Sequence, residues 1–167
     1  TIATTKVNGP AYRQIVAGKD LVADVLPPPE YIVEANLVVH QLTTAQPADI
    51  EKLAARLQTL RKEFEDRHAY WGGQDLEPRM KKLLLEDSYR PATEYFAVID
   101  SDLLPMVRHG NQTRAATVVD TRLEPLFAKH RAAIDEVVGL ANTQLADSEK
   151  GVARVLRARL AWLSGVV

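Results

Sequence analysis

Four short stretches gather the side chains able to bind or ionise: Glu65-Asp66-Arg67-His68, Asp87-Ser88-Tyr89-Arg90, His130-Arg131 with Asp135, and Glu30-Tyr31 directly after Pro27-Pro28-Pro29. Arginine and histidine beside carboxylates suit two tasks. They can hold an anion through charge-assisted hydrogen bonds, or they can neutralise one another as an internal salt-bridge network, and the residue types alone fit both. Catalytic arrangements find less support. Glu65 and His68 have the Glu-x-x-His spacing of di-iron bundles, yet such sites need a second copy and further carboxylates, which the sequence lacks. His40, His68, His109 and His130 lie in separate segments without the paired spacing of a zinc site. Ser88 has no glycine-flanked elbow, and no phosphate-cradling loop occurs. The expectation is a binding protein: not an enzyme, with no catalytic residue, no metal site and no cofactor.

The elements that position these residues are helices. Glycine is sparse, β-branched alternation is nearly absent, and Ala, Leu, Glu, Lys, Arg and Gln dominate. Helix two, about 48–71, is opened by Pro47 and Asp49 and carries Ile50, Leu53, Leu57, Leu60, Phe64, Arg67 and Trp71 at alternating three- and four-residue steps. Tyr70 and Trp71 at its base read as core. The Gly72-Gly73 pair ends it. Helix three, about 77–108, turns Met80, Leu84, Tyr95, Ile99 and Leu103 inward, and His109-Gly110-Asn111 makes the next turn. Helix four, about 111–163, shows one stripe through Val119, Leu123, Leu126, His130, Ile134, Val137, Ala141 and Leu145. Helix one, about 10–44, must break at 26–29, where three prolines withdraw amide donors and disfavour the α region in the residues before them. A helix restarting at Pro29 would leave amides near Tyr31 to Val33 as a small anion-binding terminus, which Glu30 could fill itself; a simple bend is the other reading.

The pattern predicts a single all-α domain over 1–167, an antiparallel up-down-up-down four-helix bundle with long outer helices, one and four. Reflection about the three turns puts Tyr31 level with about Arg61, Asp87 and Ala133. The candidate ligand-binding residues are therefore Tyr31, Arg67, His68, Asp87, Tyr89, His130 and Arg131, with Ser88 or Asp87 on the seam. The ends of the outer helices overhang the inner pair. Val152, Val155, Leu156, Leu160 and Leu163 then need a partner, which a parallel homodimer would supply.

Composition narrows the classes. The 167 residues are 46% hydrophobic with a formal charge of −1, so no excess charge argues for nucleic acid or an acidic membrane surface. There is no cysteine, which excludes disulfides and thiolate metal sites. No apolar run reaches the roughly 18 residues of a membrane span, and the first ten residues lack the pattern of a signal peptide.

The stretches 7–35 (VNGPAYRQIVAGKDLVADVLPPPEYIVEA), 63–71 (EFEDRHAYW), 83–92 (LLLEDSYRPA) and 130–141 (HRAAIDEVVGLA) together resemble the extracytoplasmic ligand-binding region of bacterial methyl-accepting chemotaxis proteins of the four-helix-bundle type. The resemblance implies a periplasmic sensor domain of an inner-membrane receptor, flanked by two membrane spans in the full protein. It also implies that a ligand acts by a small displacement of helix four relative to helix one. Cationic side chains outnumber unpaired acids in the proposed layer, so the expected ligand is a small organic anion such as a carboxylate. A helical sensor or interaction module without a small-molecule ligand, or a metal-binding bundle, are the alternatives.

Overall fold

The computed structural model describes Val16 and residues 30–164, and every regular element among them is helical. The break at Pro27 to Pro29 lies outside the described residues, as do the side chains of Tyr31 and of the stripe from Val152 to Leu163. Contacts divide the chain into two compact units, Pro27–Val137 and Thr1–Leu26 with Val138–Val167. Of the latter, the described part is the helical segment 138–164 together with Val16.

In the unit Pro27–Val137, α1 (Glu30–Thr44) packs against α2 (Pro47–Gly72) across a two-residue connection. The extended backbone of Gln46 and Pro47 at the first helical position restart the helix, and Asp49 lies in its first turn. Arg56 of α2 grips Glu34 of α1 in two hydrogen bonds of 2.6 Å, which hold the Glu34 carboxyl below its usual range. After α2, the Glu77 side chain accepts from the amides of Arg79 and Met80 and so caps α3 (Pro78–Lys82).

The stretch 78–108 is a broken helix. A π-helical turn at Leu83–Asp87 leads to α4 (Tyr89–Val98), and a second at Ile99–Leu103 leads to α5 (Leu104–Arg108). Gly110, at φ 73°, ends this run: Asn111 N–H reaches Met106 C=O at 2.9 Å and Gly110 N–H reaches Val107 C=O at 3.1 Å. Next comes α6 (Gln112–Val118), a third π turn at Val119–Leu123, and α7 (Glu124–Ser164).

Each π turn lies just ahead of a proline: Pro91, Pro105 and Pro125. A proline inside a helix has no N–H to donate, and its ring collides with the carbonyl four residues back. Widening the preceding turn by one residue moves that carbonyl away. The amides of Leu104 and Glu124, each directly before a proline, bond five residues back to Ile99 and Val119. Ser88, three residues before Pro91, bonds in the same way to Leu83 at 2.9 Å.

The core of this unit is one contiguous cluster that includes Ile32, Val39, Leu42, Leu57, Leu60, Tyr95, Ile99, Leu103 and Leu123. One polar chain crosses its edge. Buried Tyr95 donates to Asn36 Oδ1 at 2.8 Å, Asn36 Nδ2 donates to Glu124 at 3.0 Å, and His40 Nε2 meets the same carboxylate oxygen at 2.8 Å. Burial and the nearby Glu124 charge push the Tyr95 phenol well above its usual value, so it stays a donor.

Candidate functional site

His130 is the one charged-type side chain among the described residues that is fully buried, at 1% exposure. It occupies a seam position of α7, where the periodicity of Leu126, Ile134 and Val137 would otherwise place an apolar residue. Its Nδ1 lies 3.0 Å from the carbonyl of Ser88. That carbonyl also accepts from Ala92 N–H at 3.4 Å, its two lone pairs serving the two donors. The π turn also buries Ser88, whose Oγ donates to Leu84 C=O at 2.8 Å.

A carbonyl only accepts, so Nδ1 carries the proton and Nε2 of the neutral ring is left as an acceptor. Burial pushes the His130 imidazole below its usual value, the Ser88 carbonyl opposes that in part, and the Arg131 charge adds to it. The ring is therefore neutral at physiological pH. His130 Nε2 and Arg131 Nη1 are both buried without a hydrogen-bond partner among the described residues. The other terminal nitrogen of Arg131 donates to Asp135 at 3.0 Å, one turn along the same helix.

A row of rings extends from His130. Phe64 of α2 meets the imidazole edge-on at 6.0 Å between centroids, and stacks on Tyr89 at 5.7 Å. Tyr89 stacks in turn on His68 at 3.6 Å, and His68 Nε2 lies 3.0 Å from the Leu85 carbonyl. Thus His68, Tyr89 and His130 share one continuous aromatic layer, with Arg131 following His130 on α7. Phe64, at its centre, reads from sequence only as a core residue. The Leu85 and Ser88 carbonyls carry no side-chain signature at all.

The other expected residues lie differently. Arg67 sets its guanidinium over the Tyr70 ring at 4.6 Å and the Trp71 ring at 5.9 Å. Of the two seam alternatives, Ser88 is the buried one, while Asp87 is exposed and pairs with Lys82 at 3.0 Å. Arg61, expected opposite Asp87, meets Asp100 at 2.9 Å and Glu65 at 3.0 Å. Arg61 lies level with Asp100 and not Asp87 because the connection after α2 runs on to Glu77 and the π turn at Leu83–Asp87 adds a residue to the facing helix. Trp71 is core, but Tyr70 is 46% exposed. The Glu65-x-x-His68 pair does not converge: Glu65 takes Arg61, and His68 turns to Leu85. Among the described residues no group of three or more His, Cys, Asp or Glu is placed to hold a metal ion, and no helix is long and apolar enough to cross a membrane.

The chain matches no protein-family model, no curated protein and no solved structure.

Proposed function

We propose that the chain is the extracytoplasmic sensor domain of a methyl-accepting chemotaxis receptor, and that it binds a small organic anion beside His130 and Arg131 without transforming it. The observation that carries the binding half of this reading is Arg131 Nη1, a buried cationic donor with no described partner, next to a neutral buried histidine. A buried donor atom without a partner costs free energy that an incoming carboxylate recovers. The receptor half rests on the four resembling stretches, three of which contribute His68, Tyr89, His130 and Arg131. In this reading the helices run up-down-up-down, helix one is interrupted at Pro27 to Pro29, and two copies associate in parallel at the membrane-proximal ends. Ligand binding shifts helix four against helix one, which requires that it bind the two packings unequally.

A thermal-shift screen of small carboxylates and inorganic anions tests it. A ligand at a hundredfold excess over Kd stabilises by about 2.7 kcal/mol, or roughly 5–10 °C for a chain of this size. Arg131→Ala abolishes the shift, and Arg114→Ala, an exposed residue of α6, leaves it intact. Screening without a hit, or a hit that survives Arg131→Ala, overturns the anion reading. The Arg131–Asp135 bond favours a second reading, a helical interaction module whose cationic groups are satisfied internally. That module gives no anion response, and Asp135→Asn would not create one.

A further inference from the structure

Three consecutive leucines, Leu83, Leu84 and Leu85, lie in the first π turn, and only Leu83 is buried while the other two are half-buried. One backbone bond makes that choice. Ser88 N–H passes over the carbonyl four residues back and reaches Leu83 C=O, five residues back, at 2.9 Å. In an α-helical turn it would bond to Leu84, and counting back from Ser88 would bring Leu84 to the place that Leu83 holds. Either register therefore puts a leucine into the core.

What separates the registers is polar. Leu84 C=O, passed over by the Ser88 amide, accepts from Ser88 Oγ at 2.8 Å. Leu85 C=O, which an α-helix would pair with Tyr89 N–H, meets His68 Nε2 of α2 at 3.0 Å, and since a carbonyl only accepts, this nitrogen carries the proton. We infer that Leu83–Asp87 is a two-register switch: His68 and Ser88 hold it π-helical with Leu83 inward, and without them it closes as an α-helix with Leu84 inward. One side of the turn is fixed, because His130 holds the Ser88 carbonyl at 3.0 Å. The side that moves is α3, five residues long with Met80 its one buried residue. Closure draws Lys81 to the place of Met80, where its stem lies on apolar surface and its ammonium stays in water. It also separates Arg79 from Glu136 of α7, with which it pairs in the π register. A change at His68, which is half-buried and stacked on Tyr89 at 3.6 Å, thus reaches α7 through α3.

The chain has no cysteine, so a single introduced cysteine reports the register by its rate of thiol labelling. In Leu83→Cys the thiol should label more slowly than in Leu84→Cys, because position 83 is inward. His68→Phe keeps a ring on Tyr89 and removes one hydrogen bond; Ser88→Ala removes another. Each lost bond shifts the register ratio by about fivefold, so the pair together should raise labelling at position 83 relative to 84 by up to about twenty-five-fold. Deleting Glu86, an exposed residue of the turn, leaves Leu83 four residues from Ser88 and fixes it inward. In that background the same two substitutions should leave the labelling ratio unchanged. A ratio that they leave unchanged in the undeleted chain, or that moves equally with Glu86 deleted, overturns the switch. If a cysteine variant does not fold, urea midpoints decide. His68→Phe should lower the midpoint less with Glu86 deleted, since a backbone amide then takes the Leu85 carbonyl, and an equal drop in both backgrounds overturns the inference.

Discussion

Acidification should destabilise this protein in two separable stages, and His130 governs the first. The folded state holds the ring neutral, while the unfolded chain titrates at the ordinary value of 6.5. Below that pH the unfolded state takes up a proton that the folded state refuses, so stability falls as pH falls until the depressed folded value is reached. One proton sets the ceiling, about 1.4 kcal/mol lost per pH unit. Glu34 acts lower. Its hydrogen bonds to Arg56 hold its carboxyl below 4.5, so its contribution is complete above 4.5 and is lost only on further acidification. The interval from about 6.5 to 4.5 therefore isolates imidazole titration. Urea unfolding at half-unit pH steps, on wild type and on His130→Asn, separates this histidine from the other three, since asparagine keeps a donor for the Ser88 carbonyl but does not titrate. With m-values of about 1–3 kcal/mol/M, the wild-type midpoint should fall by up to roughly 0.5–1.4 M urea per pH unit more than the variant's. Equal slopes in the two proteins would refute a neutral, buried His130.

Two stability predictions follow from the core. Tyr95→Phe keeps the ring but removes the bond to Asn36, and should cost about 1 kcal/mol in urea unfolding, and Asn36→Ala should cost less in that background than alone, the remainder being its bond to Glu124. Leu123→Ala, at a fully buried position closing the third π turn, should cost about 2–5 kcal/mol, read as a lower midpoint at unchanged m-value.

What the sequence disclosed and what it concealed divide along the π turns. Downstream of the third, the stripe from Leu126 through His130, Ile134 and Val137 to Ala141 is buried residue for residue, because an uninterrupted α-helix keeps one phase. Across the first π turn the phase slips. Leu84 is expected inward, yet Leu83 is the buried leucine and Ser88 the next buried position. In α2 a smaller offset appears at Leu53, which is half-buried while Ala54 is buried. Of the site, the residue types and their approximate level were legible. The tautomer of His130 was not, since it depends on a backbone carbonyl, which no residue type announces. Nor was the pairing of Arg131 Nη2 with Asp135 decidable against a ligand, because i,i+4 spacing permits the pair without requiring it.

The π turns also determine where this chain's length can be edited. Removing one residue from an ordinary α-helix rotates everything beyond it by about 100°, turning a buried stripe toward solvent. A π turn already holds one residue more than the α-helix on either side, so a deletion inside Leu83–Asp87 would convert the turn to α-helix and keep the faces on both sides in register. At Ile99–Leu103 and Val119–Leu123 the proline two residues further on opposes that reversion, because its ring would meet the carbonyl four residues back. At Leu83–Asp87 three residues separate the turn from Pro91. Of the three, this turn, whose end supplies the carbonyl that His130 holds, is where a single-residue deletion can close an ordinary α-helix.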